Sequence, residues 1–226
     1  MSDNSDFLDV LLRGTAGIGH AVSKRLAELG ADLVVSDTGD TDFEPLLTTI
    51  EKCGRRAISI PLDLRDSSKI DVGVTRALGK LGHIDILVNN AGVTGGASRF
   101  LELTDTLWDL NYEVNLRGPA MLCKAVLPQM LEQGYGVIVN VASLAALGAL
   151  DTVPANYTAS KFGLVGLTKV IANEPRTSLA LPCRLLAECR PECSRTFVAL
   201  SSRWSNGPGP RLASNLPHMK SSTKPQ

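Results

Sequence analysis

The chain has 226 residues, balances 23 Lys and Arg against 23 Asp and Glu, and is 44% apolar. That length suits one sizeable α/β domain with a buried core, and the zero formal charge argues against a polyanion-binding surface, so no nucleic-acid partner is expected. No stretch approaches the ~18–20 uninterrupted apolar residues of a membrane span, and the acidic start Met1-Ser2-Asp3-Asn4-Ser5-Asp6 lacks the pattern of a signal peptide; a cytoplasmic protein without a membrane partner is the expectation.

Ile18, Ala21, Val22, Leu26 and Leu29 recur at helical spacing behind the glycine-rich Gly14-Thr15-Ala16-Gly17-Ile18-Gly19. The strand-like Asp32–Ser36 follows, then a helix carrying Phe43, Leu46, Leu47 and Ile50, then a strand at Ala57–Ile60. Asp66 is placed to cap a helix bearing Ile70, Val74, Ala77 and Leu78. Ile84–Val88 reads as a strand ending at Asn89-Asn90-Ala91-Gly92, and a long helix from 106 to 132 follows with a kink at Pro119. A strand over 136–141 and a helix over 155–173 complete the series. Short apolar strands separated by helices imply an α/β fold, a doubly wound parallel sheet covered on both faces.

The periodicity stops at Pro175. Seven prolines interrupt the rest of the chain, leaving at most a short helix near 179–188 and a lone strand near 196–200, with 201–226 reading as disordered. Two regions are therefore expected, a dinucleotide-binding and catalytic domain over 1–174 and an irregular tail over 175–226. The strand at 137–141 would then form a bare apolar edge.

The glycine loop before a helix lets the backbone approach a pyrophosphate, which free N–H groups at the helix start then bind; it is equally compatible with a simple turn. Asp37 ends the second strand 20 residues beyond Gly17, where a carboxylate can accept from a ribose hydroxyl and repel a 2′-phosphate. NAD is favoured over NADP on that ground, with a solvated loop carboxylate as the bland alternative. Tyr157 and Lys161 are four apart on one helix and share a face. An ammonium beside a phenol lowers the ~10 of tyrosine toward working range, which makes Tyr157 a general acid/base; such a pair is otherwise a common surface pairing. Ser143 either holds a developing alkoxide or is an ordinary turn residue, and Asn115, unfavourable inside a helix without a partner, is placed to position a water. Trp108 either packs or lines a substrate mouth. His20, His83 and His218 lack ligand spacing, as do Cys53, Cys123, Cys183, Cys189 and Cys193, so no metal is expected.

Together the glycine loop, Asn89-Asn90-Ala91-Gly92, Asn115, and Ser143 upstream of Tyr157-Thr158-Ala159-Ser160-Lys161 resemble the short-chain dehydrogenase/reductase family over about residues 10–174. The resemblance implies a Rossmann-type NAD(P)-binding fold, a small alcohol or carbonyl substrate and a homo-oligomer. It assigns catalysis to Asn115, Ser143, Tyr157 and Lys161. It assigns cofactor contacts to Gly14, Gly17, Ile18, Gly19, Asp37, Asp63, Leu64, Asn90, Ala91 and Gly92, with Tyr157 and Lys161. The chain departs from the family pattern at Leu12 and Arg13, where Thr and Gly are usual, and again after Glu174, where the resemblance implies that the last strands of the sheet are missing. Arg13 and the buried-strand carboxylate Asp9 predict a short or distorted first strand and weakened cofactor affinity, and the tail predicts a compromised oligomer interface. The alternative is a truncated, non-catalytic remnant that binds a nucleotide or a partner weakly.

Overall fold

A computed structural model describes residues 9–13, 16–38, 40–95, 99–148, 153–172, 183–187 and 198–201. Five parallel strands are joined by helices in the order β1 (Asp9–Arg13), α1 (Gly17–Glu28), β2 (Asp32–Asp37), α2 (Glu44–Glu51), β3 (Ala57–Pro61), α3 (Ser67–Leu81), β4 (Ile86–Asn89), α4 (Asp105–Tyr112), α5 (Gly118–Gln133), β5 (Val137–Val141) and α6 (Ala155–Ala172). The strand order runs β3-β2-β1-β4-β5. The winding direction reverses between β1 and β4, and at such a reversal a crevice opens at the C-terminal ends of the strands.

Alternation along each strand separates the two faces. Val10 and Leu12 of β1, Leu33 and Val35 of β2, and Val88 of β4 pack with Ala27 of α1 and with Leu46 and Ile50 of α2. Leu11, Val34, Leu87 and Ile138 pack on the other face with α3 and α5, through Ile70, Val74, Leu122, Val126 and Met130. Asp66 caps α3, accepting from the N–H groups of Ser68 and Lys69, as its sequence position predicted. No helix among the described residues is long and apolar enough to cross a membrane.

The long helix expected over 106–132 is present, but its ladder changes partway. Between α4 and α5 lies a π-helical turn, Glu113–Arg117, with helical backbone on both sides, and Pro119, which cannot donate to the ladder, sits two residues beyond it in the first turn of α5. Gly118 follows the π turn, and a Cβ there would lie 2.6 Å from Leu64 Cβ and 3.1 Å from Glu113 O. Gly118→Ala is expected to destabilise the fold by about 1–3 kcal/mol through overpacking, measured by urea unfolding; an unchanged midpoint would mean the turn gives way freely.

Two expectations are corrected. β1 is neither short nor distorted: it pairs in unbroken parallel register with β2, Asp9↔Asp32 through Arg13↔Ser36, and with β4. No non-glycine residue among those described has a positive φ, so Arg13 simply continues the strand. Asp9 is tolerated because it is partnered at the N-terminal end of the sheet, 3.5 Å from Arg56 Nη2 and 3.6 Å from His83 Nδ1. The second correction concerns β5, which is not a bare edge. β6 (Cys183–Ala187) pairs parallel to it, Ile138↔Cys183 through Val141↔Leu186, and β7 (Val198–Ser201) pairs antiparallel to β6. An open row of N–H and C=O groups is a template for any extended segment, and it recruits one that sequence periodicity read as helical. The expected boundary near residue 174 and the stretch 202–226 lie outside the described residues.

Candidate active site

The crevice holds a cavity of about 510 Å³ at the C-terminal ends of β1, β2 and β4. Ala16 and Ile18 bring the start of α1 to its wall; Asp37 and Thr38 come from the end of β2, Asp63 and Arg65 from just beyond β3, and Asn90, Ala91 and Gly92 from just beyond β4. Ile18, Asp37, Asp63, Asn90, Ala91 and Gly92 are thus brought together at one cavity. Gly17 takes φ +54° at the first residue of α1, which a residue with a Cβ rarely adopts. The preceding Ala16 is extended and supplies no side-chain cap, so N–H groups of the first turn remain available to an anion.

Other expected contacts fall elsewhere. Gly19 is buried within α1, and Leu64 turns into the core with 1% exposure, so neither lines the cavity. Gly14 lies outside the described residues. Leu110 and Val114, from α4 and the π turn, complete the lining on an apolar side that sequence reading did not assign.

Beyond Gly92 the cavity wall meets a buried polar cluster. Asn115, fully buried in the π turn, clamps the backbone of Val93 from both sides: its Nδ2 donates to Val93 O and its Oδ1 accepts from Val93 N–H, each at 2.8 Å. The same Nδ2 lies 3.1 Å from Asn111 Oδ1 and from Ser160 Oγ. A π turn in an α-helix commonly marks a functional position, because it re-aims a side chain. Here it turns Asn115 onto the segment that follows β4.

Lys161 is 3% exposed, and its Nζ donates to Val141 O at the end of β5 at 2.8 Å. That Nζ stands 5.7 Å from the centroid of the Tyr157 ring. A Cβ on Gly92 would lie 3.2 Å from Nζ and 3.4 Å from Asn115 Oδ1, so the bare glycine backbone lets the cavity wall approach both groups. Ser143 comes two residues after Val141, at the start of a 3-10 turn (Leu144–Ala146), and accepts there from the Ala145 N–H at 3.2 Å. Lys161 thus links Tyr157, Gly92 and the end of β5.

Behind these groups runs a buried chain that sequence reading missed. Asn89 Nδ2 donates to Asn140 Oδ1 at 2.8 Å, and Asn140 Nδ2 donates to Thr168 Oγ1 at 2.9 Å, which fastens β4, β5 and α6 together. The readable signal was Asn140, a fully buried amide within Val-Ile-Val-Asn-Val. Among the described residues no group of His, Cys, Asp or Glu is placed to hold a metal ion.

Residues 10–178 match the short chain dehydrogenase family. The chain is 36% identical over 179 residues to a (2S)-[(R)-hydroxy(phenyl)methyl]succinyl-CoA dehydrogenase subunit, BbsD, of Thauera aromatica, covering 76% of this chain and 69% of that protein. It is 39% identical over 166 residues to a D-threitol dehydrogenase of Mycolicibacterium smegmatis, covering 73% and 63%. The chain spans 59% of the length of the Salmonella typhimurium oxidoreductase UcpA, to which it is 35% identical. Among solved structures it superposes on a metagenomic short-chain oxidoreductase in complex with NADP, with a TM-score of 0.74, 34% identity, and 80% of this chain and 81% of that one covered. It also superposes on a short chain dehydrogenase/reductase of Burkholderia phymatum in complex with NAD, with a TM-score of 0.75, 28% identity and coverage of 82% and 66%. A doubly wound sheet, a helix start opening on a cavity at its switch point, and this extent of sequence identity agree: the chain belongs to the short-chain dehydrogenase/reductase family.

Proposed function

We propose that the chain is an NAD-linked oxidoreductase interconverting an alcohol and a carbonyl, with Tyr157 as general acid/base. The observation that carries this reading is the buried ammonium of Lys161. It is anchored on Val141 O, lies within 5.7 Å of the Tyr157 ring centroid and abuts Gly92 at the cavity wall. A buried charge is costly unless a task or a partner retains it, and beside a phenol it stabilises the phenolate that proton transfer requires.

The residues fit a dinucleotide. The uncapped first turn of α1 suits the pyrophosphate, Asp37 a ribose diol, and Gly92 a group brought close to Lys161. When bound, the nicotinamide supplies or receives the hydride. Tyr157 gives its hydroxyl proton to the substrate oxygen during reduction and takes it back during oxidation. Lys161 favours the ionised phenol between those steps and would hydrogen-bond the nicotinamide ribose when the dinucleotide is bound. Ser143 holds the substrate oxygen, and Asn115, by clamping Val93, fixes the wall against which the cofactor rests.

The alternative, a non-catalytic remnant binding partners through an open edge of β5, is not favoured, because β6 occupies that edge. Titration of the full chain with NADH and NADPH tests the reading. Saturable NADH binding is expected, with NADPH at least about tenfold weaker because Asp37 faces its extra phosphate, and Asp37→Ser is expected to narrow that ratio. Absence of binding to either dinucleotide would overturn the reading.

A further inference from the structure

Beyond the ends of β2 and β3 the cavity wall carries a cation, Arg65. Its guanidinium is pinned on Asp63: Nε lies 3.0 Å from both carboxylate oxygens, and Nη2 lies 2.6 Å from Oδ2. The Arg65 N–H donates to Asp63 Oδ1 at 3.0 Å, so the two residues form one compact unit. Asp63 consumes the charge and one edge of the fork. The flat faces of the guanidinium are what remains, on a side chain 55% exposed at the cavity mouth.

We propose that Arg65 is a binding residue that stacks its guanidinium on the purine base of the bound dinucleotide. The proposal rests on the nucleotide reading above. A pyrophosphate at the start of α1 and a ribose at Asp37 fix the direction of the ligand. Its base then extends past the end of β2 toward β3, where Asp63 and Arg65 stand. Guanidinium planes stack on π faces in a way ammonium groups do not, and a fork already ordered by a carboxylate loses less freedom on binding. Because Asp63 has matched its charge, Arg65 is a stacking platform rather than a receptor for an added phosphate.

Calorimetric titration of the full chain with NADH, NADPH and ADP-ribose tests this, using Arg65→Ala and Arg65→Lys. Arg65→Ala is expected to weaken NADH and ADP-ribose by the same factor, about three- to tenfold. Arg65→Lys is expected to weaken them nearly as much, since it keeps the charge and loses the plane, and NADPH should fall in parallel with NADH. NADH affinity unchanged by Arg65→Ala, full rescue by Lys, or a loss confined to NADPH would each overturn the stacking assignment. A wild-type chain that binds neither NADH nor ADP-ribose would instead sink the nucleotide reading, and this proposal with it.

Discussion

Tyr157→Phe is expected to lower kcat/KM for carbonyl reduction about 10²–10⁴-fold, the range for loss of a positioned general acid/base, while NADH affinity stays at the wild-type level. The substitution removes one oxygen and keeps the ring, so the face that lies 5.7 Å from Lys161 Nζ is retained. Lys161→Met provides the contrast. It deletes the bond to Val141 O and leaves a space beside Gly92 and Asn115, so both NADH binding and turnover are expected to fall. NADH oxidation with a panel of aldehydes and ketones, alongside equilibrium NADH titration, reads the two effects separately. Full activity in Tyr157→Phe would remove Tyr157 from the chemistry, whatever else the cavity binds.

The residues legible in the sequence are those tied to strand ends. Asp37, Asp63 and Asn90-Ala91-Gly92 could be placed because each closes or follows an apolar run, and a parallel sheet delivers such positions to one edge. What escaped depends on pairings distant in sequence. Asp9 read as a defect because its partners, Arg56 and His83, are 47 and 74 residues away. The role of Asn140 escaped because its amide partners are Asn89 and Thr168, on two other elements. The π turn escaped because Tyr112–Gly118 has ordinary helical periodicity; its cause is the fit of Asn115 to Val93 and of Gly118 to Leu64. Arg65 escaped because only the fold brings the residues after β3 beside Asp37. Cys183–Ala187 read as part of a short helix for a different reason: a five-residue segment suits a helix or a strand equally until an edge is offered to it.

The partnered carboxylates at the N-terminal end of the sheet lead to the largest expected change in stability. Asp9 and Asp32, each 3% exposed, start β1 and β2 side by side, and Arg56 bonds both. Asp32 also holds Arg55 at 2.6 Å, while His83 spans Asp9 and Asp85. Burial raises Asp9 to about 6, aided by the neighbouring charges of Asp32 and Asp85, although His83 and Arg56 pull it down. Burial acts on Asp32 the same way, but hydrogen bonds from Arg56 and the charges of Arg55 and Arg56 outweigh it and hold that carboxyl below its ordinary value. The signs follow by linkage. Between the ordinary carboxylate value of 3.8 and about 6 the folded chain keeps an Asp9 proton that the unfolded chain releases, so the Asp9 contribution falls as pH rises through that window. The Asp32 contribution is opposite, present above the ordinary carboxylate value and lost as pH falls through its lowered one. Removing Arg56 raises Asp9 further and shrinks the Asp32 gain, and both changes cost most where the two groups are ionised. Arg56→Met is therefore expected to destabilise the protein by about 2–3 kcal/mol at pH 8, below the ~3–5 of a fully buried pair because the Arg56 side chain is 45% exposed. The cost should shrink at pH 5, where Asp9 carries its proton. Urea unfolding at the two pH values measures it, and an equal cost at both would mean that Arg56 acts through packing rather than through the two carboxylates.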